Sequence, residues 1–311
     1  MRTFLWFIGL FVAGFAVMAL LAWPAYEWLS PHLDVKFHRL ANRIGQLSLL
    51  IGIVLLVRRL ALADRHSLGY GLPRTEFLRE LAIGLALGLA TMLPIAFLMF
   101  GFDLRILREG ITLDGALLMQ LAAGGLMTGL AVAFIEETFF RGAMHAAIAR
   151  ESGHRLAIVL TALLYSAVHF VGRHRIPVEE LGPDSGLRHI VGTLAAFANP
   201  LGILDAFLAL AAVGVLLGLV RARTGHVAGC IGLHAGWVWV ISVLRESTVP
   251  DAASPWRFLL SEFDGVVGWL VLAWTLVIGV VVLSFYRHRT TRGIGVTDDA
   301  LKRRRDPPAA G

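Results

Sequence analysis

Ala133-Phe134-Ile135-Glu136-Glu137-Thr138-Phe139-Phe140-Arg141-Gly142 puts two adjacent carboxylates and a guanidinium inside an apolar run that extends from Ala116 to Ala149. A helix needs about 20 mainly apolar residues to cross the hydrocarbon core, so a run of this length reads as a membrane helix. The charges within it then need a reason. Each ionisable group at mid-bilayer costs about 2.5 to 3.5 kcal/mol on insertion scales, and those that persist face a protein interior or a wet cavity. Glu137 and Arg141 are four apart, on one helix face, with the glutamate N-terminal, which is the favourable order for an ion pair. Glu136 points about 100° away and has no such partner on its own helix. A second carboxylate beside it, together with burial, raises the pKa of one of the two, and that is how a carboxylate becomes a general base.

Seven further apolar runs surround this one: Phe4 to Trp23, Ile44 to Leu62, Leu81 to Phe100, Leu156 to Val171, Leu201 to Val220, Val227 to Leu244 and Val266 to Tyr286. The chain is 57% hydrophobic and 16% charged, whereas a soluble domain carries roughly a quarter charged residues. The fold class is therefore all-α, a polytopic membrane protein of about eight transmembrane helices around an intramembrane cavity, in contact with membrane lipid. The first run, followed by Trp23-Pro24 without a small-residue cleavage site, reads as a retained helix rather than a signal peptide. A net charge of +6 does not make the chain a nucleic-acid binder, because the basic residues lie in short segments between apolar runs. Of the 28 lysines and arginines, 18 fall on the side of the N-terminus and 10 on the other, so the positive-inside rule puts both termini in the cytoplasm. Cys230 has no partner, which excludes an internal disulfide. Nothing in the sequence sets an oligomeric state.

Two histidines share the predicament of the glutamates: His169 in Leu163-Leu164-Tyr165-Ser166-Ala167-Val168-His169, and His234 in Ile231-Gly232-Leu233-His234. If the runs at 116–149 and 156–171 form a hairpin turning at Ser152-Gly153, Glu136 and His169 each lie about 16 residues from the turn and so are level, roughly 25 Å from its tip. His234 stands eight residues beyond His226, roughly 12 Å in from the same side. The three are expected to converge. His145, His154, His174, His189 and His226 lie near helix ends or in loops, where solvated histidines are expected. The long polar connection from Gly172 to Pro200 reads as a solvated loop.

These motifs resemble those of the CPBP family of intramembrane proteases, which includes the eukaryotic CAAX prenyl endopeptidase and many bacterial relatives. Glu-Glu-x-x-x-Arg is matched by Glu136, Glu137 and Arg141. An aromatic residue four before a histidine is matched by Tyr165 and His169, where the family usually has Phe. The third histidine is His234, and Gly218 to Gly225, with Arg223-Thr224-Gly225, also fits. The resemblance covers about Gly115 to Leu244. It divides the chain into N-terminal helices (1–114), a core of this type (115–245), a final loop and helix (246–286), and a basic, disordered cytoplasmic tail (287–311).

The resemblance implies hydrolysis of a peptide or membrane-protein substrate, of CAAX type or membrane-associated, in a bacterial cytoplasmic membrane. Glu136 would activate water, His169 would assist, and His234 would hold the water or polarise the carbonyl. Glu137, Arg141 and Tyr165 would support the site. No cofactor is expected; a zinc-dependent variant would use Glu136, His169 and His234, although the compact His-Glu-x-x-His signature is absent. The family commonly has Asn four residues after the third histidine, where this chain has Val238, and its only asparagines are Asn42 and Asn199. Either another donor, such as the Tyr165 hydroxyl, then faces the oxyanion, or activity is weakened. The rival reading is a non-catalytic membrane protein serving immunity to a bacteriocin, transport or scaffolding, since buried acids and histidines also build proton relays.

Overall fold

The computed structural model describes residues 1–112, 114–172 and 174–286; the basic tail expected at 287–311 lies outside the described residues. Among the described residues ten α-helices follow one another: α1 Arg2–Leu29, α2 Phe37–Arg59, α3 Arg74–Gly101, α4 Gly115–Glu137, α5 His145–Ser152, α6 His154–His169, α7 Ser185–Thr193, α8 Leu204–Thr224, α9 Ala228–Ser247 and α10 Trp269–Tyr286. Short 3-10 turns join some of them. A two-stranded antiparallel ladder, β1 Arg105–Leu107 with β2 Thr248–Pro250, pairs Ile106 with Val249 and is the only sheet among the described residues.

Seven of the helical runs are long and apolar enough to cross a membrane, the run Gly115–Ser152 counting as one. The protein is thus an all-α integral membrane protein, and one of the eight expected spans is shorter than the rest. The fifth, α6, has only 16 residues, or about 24 Å at 1.5 Å each, short of the ~30 Å hydrocarbon thickness. It stops at His169, and that histidine sits at a helix end within the protein. The hairpin turn falls where expected: Gly153 takes φ +85 between α5 and α6, a conformation that glycine adopts without strain.

The central helix is α9, and glycine makes its centrality possible. A Cβ added to Gly84 or Gly88 of α3 would stand 2.5 Å from the carbonyl oxygens of Gly229 and Leu233. One at Gly236 of α9 would stand 2.9 Å from Leu85 O, and one at Gly232 would collide with Leu81 O. Gly129 of α4 lies as close to Ala235 O, at 2.5 Å, on another side of α9. In lipid no hydrophobic drive presses helices together, so close backbone approach through small residues replaces it. Gly232→Val is therefore expected to force α3 from α9 and to destabilise the protein by about 3 kcal/mol. Gly124→Val, at a glycine with open space around it, should stay within about 1 kcal/mol. Thermal unfolding in detergent measures both.

The connection after α6 corrects an expectation. It is a solvated loop only in part: α7 lies against α1 so closely that a Cβ on Gly186 would collide with Ala19 O. His189 of α7 is fully buried and faces Asn42 of α2 through Nε2 at 3.0 Å. His145 is likewise buried, 3.1 Å from the Nδ1 of His154 through its own Nε2. Neither is the solvated histidine that its position near a helix end suggested, because both ends are covered by neighbouring helices.

The first and the last described residues lie at one face. The N-terminal amine reaches Glu151 at 2.8 Å, and Gly229, at the start of α9, abuts the Tyr286 hydroxyl at the end of α10. The opposite face carries 172–203, the β1–β2 ladder and the segment before α10, where the buried Arg105 donates to the Thr248 hydroxyl at 2.7 Å and to the carbonyl of Gly265.

Candidate functional site

The glutamate pair closes α4, and the chain continues through seven residues of π-helix, Thr138–Met144, before α5 resumes the α form. π turns are rare, and often mark functional sites because the extra residue re-aims side chains. Here the wider turn begins directly after Glu137. Tyr70, from the segment between α2 and α3, bonds the Thr138 hydroxyl at 2.5 Å.

Glu137 is fully buried. Its Oε1 accepts from Arg141 Nη1 at 2.9 Å, the ion pair the spacing indicated, and also from His234 Nδ1 at 2.8 Å. The second bond joins α4 to α9 and was not foreseen. Arg141, also fully buried, donates through Nη2 to Gly214 O at 3.2 Å. Its guanidinium carbon stands 4.6 Å from the centroid of the Tyr165 ring, within cation–π range. A buried charge needs such partners, since leaving either ion alone would cost several kcal/mol.

Because His234 gives its Nδ1 proton to a carboxylate, its Nε2 is left to face the other glutamate. Nε2 lies 3.9 Å from Glu136 Oε2, and that oxygen has no hydrogen-bond partner among the described residues. The separation is too long for a direct hydrogen bond and suits two groups that share a third atom between them. Unlike Glu137, Glu136 keeps 28% of its side chain exposed.

His169 hydrogen-bonds through Nδ1 to the carbonyl of Tyr165 at 2.7 Å; a carbonyl only accepts, so Nδ1 carries the proton and Nε2 bears the lone pair in the neutral ring. The Tyr165 ring lies between the groups, its centroid 4.6 Å from that of His169 and 6.0 Å from that of His234. The six residues named from the sequence are thus linked by a chain of contacts, held by α4, the π segment, α6 and α9.

Two cavities border this cluster. The larger, about 760 Å³, is lined by Tyr165, His169, His234 and Val238 and by apolar side chains of α3, α8 and α10. The smaller, about 480 Å³, is lined by Glu136 together with Phe11, Asn42 and Gln46 of α1 and α2. Val171 and Gly172 border both. Glu136 therefore approaches the histidines from a separate chamber. Among the described residues no three His, Cys, Asp or Glu side chains stand close enough to hold a metal ion, so the zinc set of Glu136, His169 and His234 is not assembled in this geometry. Val238 shares the larger cavity with both histidines, as a position one turn beyond His234 must.

Sequence reasoning also missed Arg221 of α8. It is buried and donates through Nε to the carbonyl of Arg141 at 3.0 Å, fixing the backbone of the π segment. Its signal was available: an arginine inside an apolar run, like Arg141 itself.

Residues 118–240 match the family model described as Rce1-like, type II CAAX prenyl endopeptidase. The matched stretch contains both glutamates, Arg141, Tyr165, both histidines and Val238. No curated protein and no solved structure matches the chain.

Proposed function

We propose, for a chain whose residues 118–240 match the family model of Rce1-like, type II CAAX prenyl endopeptidases, that it hydrolyses a peptide bond of a CAAX-type or membrane-associated substrate with water held between Glu136 and His234. The observation that carries this is the 3.9 Å separation of Glu136 Oε2 from His234 Nε2. A water about 2.8 Å from each atom fits that separation, donating one hydrogen to the carboxylate and one to the imidazole. Its lone pairs then face the cavity. Glu136 takes the proton as the oxygen attacks the scissile carbonyl, and returns it to the leaving amine as the tetrahedral intermediate collapses. His169, whose Nε2 bears a lone pair at the cavity wall, assists in moving that proton.

Glu137 orients His234 through Nδ1, and Arg141 holds Glu137 in place, the arrangement of a base held by a third group. The low-dielectric surroundings strengthen each of these contacts. The domain division at 115–245 follows from the same reading: α4 to α9 supply the chemistry, while α1 and α2 wall the smaller cavity. Excess positive charge on the face of the termini favours both in the cytoplasm of a bacterial inner membrane.

The test is a quantitative comparison of new peptide N-termini in membranes carrying the native chain or Glu136→Ala, His169→Ala or His234→Ala. Each variant should abolish the same cleavages while the folded protein accumulates normally. Retention of those cleavages in all three would leave the non-catalytic reading. Cleavage is expected to survive stringent chelation, and loss that zinc restores would assign a metal to Glu136, His169 and His234.

The oxyanion needs a donor, and Val238 supplies none. Tyr165 is 2% exposed, lines the larger cavity, and its hydroxyl bonds no described residue. On this reading it donates to the developing oxyanion, so Tyr165→Phe is expected to lower kcat about 10²-fold with KM little changed. Full activity in that variant removes Tyr165 from the mechanism.

A further inference from the structure

The π winding of Thr138–Met144 is held from outside its own helix. The His145 N–H that closes it reaches the carbonyls of Phe140 and Gly142 and passes over that of Arg141. A buried carbonyl bypassed in this way needs another donor. Arg221 of α8 supplies one, with its Nε 3.0 Å away. The other end of the segment is held in a similar manner. The Thr138 hydroxyl donates back to Phe134 O at 2.5 Å, a bond to the preceding turn that bends helices. With that hydrogen committed, the Tyr70 hydroxyl is the donor in its own 2.5 Å bond to Thr138 Oγ1. The two holds are joined through the segment between α2 and α3. Arg221 Nη2 reaches the Ser67 carbonyl at 3.4 Å, and a Cβ on Gly69 would stand 3.1 Å from Arg221 Nε. Tyr70 N–H closes that turn on Arg65 O at 2.7 Å, and its ring stacks on Phe77 at 5.4 Å.

The winding decides where Arg141 points. An α-helix turns about 100° per residue, so residue i+4 lies somewhat beyond one full turn. A π-helix bonds five residues back and turns less at each step, so residue i+4 falls short of one. Relative to Glu137, the two windings therefore place Arg141 on opposite sides. In the winding observed, the guanidinium lies over Tyr165 of α6 and bonds Gly214 O of α8 at 3.2 Å. From there it meets Glu137 Oε1 at 2.9 Å, and the same oxygen still receives His234 Nδ1 at 2.8 Å.

We propose that Arg221 and Tyr70 are positioning residues of the hydrolytic site: they keep Thr138–Met144 in its π winding, and that winding turns Arg141 toward α6 and α8 so that Glu137 stays free to orient His234. Neither residue touches the reacting atoms. Both act through the Glu137–Arg141 pair, and what they set is the aim of the imidazole at the water. Removing either hold lets the segment relax toward the commoner α form, which swings Arg141 across the side of Glu137 that His234 uses.

The effect on rate rests on the endopeptidase reading; the winding is measured without it. A misplacement of about 1 Å costs about 10²-fold in rate, so Arg221→Met is expected to lower kcat by about that factor. KM should stay within about twofold, because substrate binding is not what the hold serves. Arg221→Lys, whose ammonium still offers the Arg141 carbonyl a donor, should return kcat to within about fivefold of native. Tyr70→Phe, which removes the other hold alone, should lower kcat about tenfold. In the background Glu137→Gln, Arg141→Leu there is no pair left to aim, and Arg221→Met should then cost no more than about threefold. A residue that only stabilises the fold would cost the same factor in both backgrounds. Amide exchange across 138–145 reads the winding directly, and should quicken at least about tenfold in Arg221→Met and Tyr70→Phe. Where Arg221→Met fails to accumulate, Tyr70→Phe is carried through the same two backgrounds. Native kcat in both single variants, or an equal loss in the two backgrounds, overturns the proposal. Unchanged cleavage in Glu136→Ala would sink the endopeptidase reading and leave the exchange result standing, so the two failures are separable.

Discussion

Glu136→Gln is expected to lower kcat by about 10³-fold, a loss in the range general-base catalysis supplies, while leaving the unfolding temperature within a few degrees of the native value. The two halves of that expectation have separate causes. Chemistry suffers because the amide has nearly the shape of the carboxylate but cannot take a proton, and the 3.9 Å gap to His234 Nε2 is preserved. Stability does not suffer because Oε2 has no protein partner to lose among the described residues, and an amide in a partly open chamber is cheaper to bury than a carboxylate. The rate is read in vesicles on a peptide bond identified by the N-terminal comparison, and stability by thermal unfolding of the same preparation. A variant that cleaves at the native rate would remove Glu136 from the chemistry. One that is inactive and also unfolds far earlier would show the glutamate to be structural instead.

The contrast with its neighbour explains how much could be read from the sequence. Spans were legible because the hydrocarbon core imposes a length and an apolarity that any crossing helix must meet, and no other part of the fold is as tightly dictated. The ion pair of Glu137 and Arg141 was legible too, since four residues on a helix bring side chains to one face. The bond from Glu137 to His234 was not: the two are 97 positions apart, and no local rule says which buried acid a distant histidine meets. The π segment escaped because hydropathy is the same whether the backbone bonds four or five residues back. The short α6 escaped because apolar residues continue past His169 to Val171, and only the backbone shows that the helix stops. The crossing of α3 and α9 did leave a trace, Gly84 and Gly88 on one and Gly232 and Gly236 on the other, a pair of small-residue steps of four that points to close helix contact in lipid.

Arg141→Leu is expected to be the most destabilising change in the core, at about 3 to 5 kcal/mol, because it strands Glu137 as an uncompensated charge with no access to water. The Gly214 carbonyl loses its donor at the same time. The size of the effect belongs mostly to the partner left behind, and that gives a test. In the double variant Glu137→Gln, Arg141→Leu no charge is stranded, and more than half of the lost stability should return, a coupling of about 2 kcal/mol between adjacent sites. Activity should not return with it. The glutamine can still accept from His234 Nδ1, but a neutral acceptor holds the imidazole less firmly and no longer favours the charged ring as the proton moves. Cleavage by the double variant is therefore expected to stay about 10²-fold below native. Unfolding midpoints and single-turnover rates on the same three proteins decide the matter. If the double variant is no more stable than Arg141→Leu, the pair is not the electrostatic unit its geometry describes; if it regains native activity, Glu137 has no part in aiming His234 at the water.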